Sequence, residues 1–210
     1  MIEKDESIHQ ALTKLRTDRI KIVVCGEGGV GKTSLLETFF ARSYCSSSMT
    51  PGFQPFSMNI LESITLQIWD LGGQTHFQQM GNGKVFNEFM TEASLVLLCF
   101  SLDDLNTLEE IPKWVSRISD PQEVILILVG TKEDISKFSG IENVEKVVQP
   151  YLKKFNIYSF IPTSSKTNQA SVDNVFIEIL SLLLKIDREK ASMIIQDYFK
   201  KRIKHTQLPK

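Results

Sequence analysis

The octapeptide Gly26-Glu27-Gly28-Gly29-Val30-Gly31-Lys32-Thr33 constrains this chain more than any other feature. It satisfies G-x-x-x-x-G-K-[ST] and lies between a β-branched run, Ile20 to Cys25, and a helical stretch from Lys32 to about Arg42. Strand, glycine loop and helix in that order make a phosphate cradle. Glycines let main-chain N–H groups turn inward without Cβ clashes, and the helix presents its positive N-terminal end to the same anion. In such a cradle Gly28, Gly29, Val30, Gly31 and Ser34 line the phosphates. Lys32 bridges the β- and γ-phosphates, and the Thr33 hydroxyl is a hard oxygen suited to Mg²⁺. A glycine-rich turn matching by accident is expected in on the order of one chain in a hundred of this length. The correct flanks make that rarer still.

At 210 residues the chain fits one domain of ordinary size with terminal extensions. Strands alternate with helices along it, which implies an α/β fold with a mainly parallel sheet covered on both faces. After an irregular loop, Ser43 to Pro55, two strands are expected at Phe56 to Leu61 and Ile64 to Asp70, joined tightly through Glu62-Ser63. Continuous apolar runs at Leu95 to Ser101 and Val124 to Val129 read as buried strands, and Ile157 to Ile161 as the last. Helices are expected up to about Ile118, capped by Asp103 or Asp104, then at Val144 to Lys154 and Ser171 to Ile186. Ile8, Ala11, Leu12 and Leu15 recur at helical spacing ahead of the domain.

Hydrophobic residues at 42% and charged residues at 23% exclude a disordered or membrane-embedded class. A net charge of -1 gives no reason to expect a nucleic-acid partner. Cys25, Cys45 and Cys99 form no CxxC pair and read as reduced thiols, so a cytoplasmic protein is expected.

Three further motifs follow the cradle. Trp69-Asp70-Leu71-Gly72-Gly73-Gln74 ends a strand in Asp-x-x-Gly-Gln. There Asp70 can hold Mg²⁺ through water, the Gly73 N–H can meet the γ-phosphate, and Gln74 can orient an attacking water. Thr131-Lys132-Glu133-Asp134 follows the next buried strand but one. The Asp134 carboxylate can accept from both N1–H and the exocyclic amine of guanine, a donor pair adenine lacks. Thr163-Ser164-Ser165-Lys166 follows the last strand. Singly, each also reads as an ordinary turn or surface string.

Together, in this order, they resemble the D-x-x-G-Q, N/T-K-x-D and S-A-K elements of Ras-like GTPases, over about Arg19 to Asp187. The resemblance implies a P-loop NTPase of the Ras-like G-domain type, with a six-stranded, mainly parallel sheet and helices on both faces. The domain would span residues 19–187, with a helical extension at 1–18 and a basic amphipathic one at 188–210. It also implies GTP and GDP as ligands and Mg²⁺ as cofactor. Slow GTP hydrolysis would rest on Gln74, Lys32 and Gly73, and the base would be held by Thr131, Lys132, Asp134, Ser164, Ser165 and Lys166. Thr50-Pro51-Gly52 resembles the T-x-G of switch I, which adds Thr50 to the Mg²⁺ ligands Thr33 and Asp70, although a plain Thr-Pro turn accounts for the same string.

A molecular switch in signalling or trafficking, served by activating, exchange and effector proteins, is then the leading expectation. Two others remain: a G-domain scaffold with no useful turnover, and an adenine-specific P-loop kinase. Several residues depart from the family pattern. Thr131 replaces the commoner Asn, Ser165 replaces the alanine of S-A-K, and Gln74 to Leu95 is longer than a Ras-like switch II and contains Gly81-Asn82-Gly83. Tyr44 stacks near the base or serves as a packing aromatic. No cysteine follows Cys99 and Ile2 follows Met1, so neither a prenyl nor a myristoyl anchor is expected. In the tail, Ala191, Ile194, Ile195, Tyr198 and Phe199 form an apolar stripe ahead of a basic end, Lys200 to Lys204. That pattern suits either peripheral contact with an anionic membrane or an extra helix packed on the domain.

Overall fold

The computed structural model describes residues 19–206, apart from 45, 47–48, 62–63, 74–83, 119 and 138–139. The expected helix at Ile8 to Leu15, the Glu62-Ser63 connection, Gln74 and Gly81-Asn82-Gly83 therefore lie outside the described residues.

Six strands form one sheet: β1 (Arg19–Cys25), β2 (Phe53–Ile60), β3 (Ile64–Leu71), β4 (Leu95–Ser101), β5 (Ile125–Thr131) and β6 (Ser159–Pro162). Their order across the sheet is β2-β3-β1-β4-β5-β6. Only β2 runs antiparallel, paired with β3 from Phe53↔Leu71 to Ile60↔Ile64. The other neighbours are parallel, as crossover helices require. The helices are α1 (Lys32–Ala41), α2 (Lys84–Met90), α3 (Asn106–Glu109), α4 (Ile111–Val115), α5 (Ile141–Lys154), α6 (Gln169–Leu184) and α7 (Arg188–Thr206).

The sheet divides the core in two. On one face Leu35, Leu36 and Phe39 of α1 meet Val172, Val175, Phe176 and Ile179 of α6, with Phe39 and Phe176 stacked at 3.4 Å between ring centroids. The other face packs Phe86 of α2 and Trp114 of α4 against Val23, Val96 and Leu98. Every residue of β4 is buried, which explains its unbroken apolar run.

Helix α7 joins the first layer. Ala191, Ile194 and Ile195 are buried in it, Arg202 donates to the Phe40 carbonyl at 2.8 Å, and the Arg42 guanidinium lies 4.5 Å from the Phe199 ring centroid. The apolar stripe thus packs on the domain through these residues, while Lys200 and Lys201 stay exposed. No described helix is long and apolar enough to cross a membrane.

Some boundaries differ from the sequence reading. β2 begins at Phe53, inside the expected loop, because its pairing with β3 carries through Pro55 on an edge strand, where the missing N–H is tolerated. The helix expected up to Ile118 is two short pieces, interrupted where Pro112 restarts the turn at the head of α4. Neither aspartate is its N-cap. Asp104 accepts from Asn106 N–H at 3.2 Å, and Asp103 instead engages Ser101 and Lys132. Helix α6 starts at Gln169, with Asn168 Oδ1 accepting from Ser171 N–H at 3.0 Å.

Replacing Phe176 by Ala removes the ring that joins α6 to α1. A loss of about 3–5 kcal/mol is expected in urea unfolding. Tyr158→Ala, at a side chain 65% exposed, should change stability by less than about 0.5 kcal/mol.

Candidate functional site

The cradle forms at the carboxyl ends of β1, β3 and β4, where parallel strands hand the chain to loops. Gly26 and Gly31 adopt φ of +143° and +97°. A Cβ on Gly26 would stand 2.1 Å from the Cys99 carbonyl oxygen, so only glycine lets the loop cross β4. Cys25 and Cys99 lie beneath it, fully buried; burial raises both thiols, Cys99 to about 12, and leaves neither as a thiolate at neutral pH.

Above them is a cavity of about 100 Å³ lined by Gly28, Gly29, Gly31, Lys32, Thr33, Ser34, Met49, Thr50, Gly72 and Gly73. Three strings far apart in sequence therefore meet here. Lys32 is buried and its Nζ donates to the carbonyls of Gly26 at 2.9 Å and Glu27 at 2.8 Å. Burial lowers its pKa below the usual lysine value, opposed chiefly by the negative charge of Asp70.

Thr33, Thr50 and Asp70 converge. The two threonine hydroxyls are 2.5 Å apart, Thr33 donates to Asp70 Oδ2, and Thr50 Oγ1 lies 3.4 Å from the same oxygen. Asp70 Oδ1 is buried with no hydrogen-bond partner. A buried carboxylate oxygen without a donor is costly, and burial accordingly raises the Asp70 pKa, against the Thr33 hydrogen bond and the Lys32 charge. Two hydroxyls and such a carboxylate are an oxygen donor set that fits a hard divalent cation, directly or through water.

The switch-like strings are tied to each other through main chain. Gly72 N–H donates to the Gly52 carbonyl at 2.7 Å, and a Cβ on Gly72 would come within 2.8 Å of the Thr50 and Gly52 carbonyl oxygens. Gly73 lies against the cradle itself, since a Cβ there would be 2.3 Å from Gly28 N. Gly28 has more room, with its nearest neighbour 3.8 Å from a Cβ.

At the far end, Ser164 Oγ donates to Asp134 Oδ1 at 2.6 Å, joining the third and fourth motifs. The Asp134 side chain stays exposed to the open side of this pair, as does Lys166. Lys132 takes a left-handed φ of 58°, and its Nζ is 3.4 Å from Asp103 Oδ1. The Thr131 hydroxyl reaches the carbonyls of Val30 and, at 2.9 Å, Phe100, so the third motif braces the cradle from below. Thr131 lacks an amide, yet this link is made.

The structure thus brings together Gly28, Gly29, Gly31, Lys32, Thr33, Ser34, Thr50, Asp70 and Gly73 around one cavity. Asp134 and Ser164 are joined beside it, with Thr131 and Lys132 on the same segment as Asp134 and Ser165 and Lys166 on the same segment as Ser164, and Gln74 lies outside the described residues. Tyr44 is exposed. Met49 and Gly72 line the cavity although the motifs assign them no role. Gly72 stands inside the quoted Trp69–Gln74 string and was there to be read. Met49 had no signal, nor did Asp103 as partner of Lys132.

Comparison with known proteins shows the family to which the chain belongs. The family model described as "Ras family" matches residues 21–185. Ras-related protein Rab-12 of Homo sapiens is 26% identical over 173 residues, 80% of this chain and 68% of the relative. Ras-related protein RABG3b of Arabidopsis thaliana is 29% identical over 189 residues, 85% of this chain and 89% of the relative. GTP-binding protein RHO3 of Saccharomyces cerevisiae is 36% identical over 136 residues, 62% of this chain and 55% of the relative.

The raised Asp70 pKa has a definite sign. Between the unfolded carboxylate value and the higher folded one, the native state binds more protons, so stability falls as pH rises through that window. In the absence of divalent cations, Asp70→Asn should therefore raise Tm at pH 8, and the gain should shrink and vanish towards the acid end of the window. Differential scanning fluorimetry across pH in EDTA measures both.

Proposed function

This chain belongs to the Ras family of small GTPases, and on that premise we propose that it holds GTP or GDP with Mg²⁺ in the cradle described, hydrolyses GTP slowly and works as a molecular switch in intracellular signalling or trafficking. The observation that carries this reading is the convergence of Thr33, Thr50 and Asp70 on the floor of a glycine loop that also buries Lys32.

Main-chain N–H groups of residues 28 to 34 bind the phosphate chain, and Lys32 stabilises charge on the β- and γ-phosphate oxygens. Thr33, Thr50 and, through water, Asp70 would hold Mg²⁺, which when bound would supply positive charge to offset that of the phosphates. Gly73 N–H donates to a γ-phosphate oxygen, and Gln74 orients the attacking water. Asp134 reads N1–H and the exocyclic amine of guanine, steadied by its bond from Ser164. Lys132, Ser165, Lys166 and the Thr131 brace complete the base pocket.

The γ-phosphate adds a shared tether to Thr50 and Gly73 beyond their contacts with Thr33 and the cradle, so hydrolysis loosens the two loops together and effector proteins leave. Activating and exchange proteins set the two rates. The G domain spans residues 19–187, flanked by extensions at 1–18 and 188–210. The protein works in the cytoplasm, with the basic end of α7 available for peripheral membrane contact.

Single-turnover assays with Mg²⁺ are expected to give GTP hydrolysis at about 10⁻⁴ to 10⁻³ per second. Gln74→Leu should slow it at least about tenfold without weakening binding. Equal, undetectable rates in both would support a scaffold without turnover and overturn the switch. Asp134→Asn should cost GTP at least about a hundredfold in affinity while leaving ATP binding as weak as before. ATP preferred over GTP by the unmodified protein would sink the guanine assignment.

A further inference from the structure

The second residue of the cradle is a carboxylate, which phosphate binding does not call for. The Glu27 carbonyl accepts from Lys32 Nζ at 2.8 Å, and its main chain lies against Gly73, so Glu27 belongs to the cradle wall. Its Oε1 is shielded from water and has no hydrogen-bond partner. Lys113 Nζ stands 3.6 Å from that oxygen and 3.1 Å from Glu110 Oε2. Lys113 is carried on α4, which is anchored by the buried Ile111, Trp114 and Val115 on either side of it.

A negative charge one residue from the phosphate-binding amides repels a polyphosphate. It also acts, as the smallest of the charge contributions, on the ammonium that the cradle buries at Lys32. Neutralising Glu27 from outside leaves Lys32 and the α1 N-terminus to face the ligand. We propose that Lys113 is a positioning residue for the nucleotide, whose ammonium offsets the Glu27 carboxylate and so keeps the cradle positive enough to hold a polyanion. Lys113 touches no phosphate. It acts through Glu27, from an element that none of the four motifs includes.

This rests on the nucleotide-binding reading above. The test is titration of fluorescent GDP and GTP, with Mg²⁺, into the full chain and into Lys113→Gln, Lys113→Arg, Glu27→Gln and the Glu27→Gln/Lys113→Gln pair, at low and near-physiological salt. Lys113→Gln should weaken both nucleotides about three- to tenfold, more at low salt, with Tm unchanged. Lys113→Arg should bind like the unmodified chain. Glu27→Gln should bind at least as tightly, and in that background Lys113→Gln should cost less than about 1.5-fold. Equal losses in both backgrounds, or no loss in either, would overturn the proposal while leaving nucleotide binding intact. An unmodified chain that binds neither nucleotide would remove the functional reading and this proposal with it.

Discussion

A buried ammonium group organises this molecule. Lys32 leaves water at the start of α1, and its hydrogen bonds to the Gly26 and Glu27 carbonyls fold the glycine loop back over it. Charge removed from water has to be matched nearby. The largest opposing charge is Asp70 at the end of β3, itself buried and only partly satisfied, and it offsets the burial of Lys32 only in part. Much of the surrounding architecture follows from keeping these two groups in register. β1 and β3 are adjacent and parallel, with Val24 opposite Asp70, so the loop after one and the carboxylate at the end of the other arrive at the same level.

Around that pair the loops are held through main chain more than through side chains. Gly26 passes over β4 where no Cβ fits, Gly72 bonds to Gly52, and Gly73 rests on the cradle. Contacts of this kind are short-ranged and steric. A shift of either loop is transmitted to the other without any intervening side chain to absorb it, as a two-position device requires.

The cradle was legible in the sequence because its chemistry is local. Glycine spacing, Lys32 and Thr33 follow one another, and strand and helix flank them. The motifs at Asp70, Asp134 and Ser164 were legible for the same reason, each at the end of an apolar run. What the sequence did not disclose depends on pairing between distant segments. β2 starts at Phe53 because β3 offers it partners through Leu71, which local composition around Pro51 and Pro55 hides. The pairing of Asp103 with Lys132 and the approach of Lys113 to Glu27 arise from where α3 and α4 settle on the sheet. Thr131 is a mixed case: its identity was plain, but its reach to the Val30 carbonyl depends on β5 ending level with the cradle.

Helix α7 carries a consequence for the order of assembly. β2 is an edge strand, and its inward Met58 and Ile60 share a cluster with Ala191, Ile194 and Ile195 of α7, which follows the other described elements of that layer in the chain. A nascent chain halted at α6 has all six strands, yet leaves apolar side chains of its outermost strand uncovered. This half of the core is complete only once the last described helix is in place.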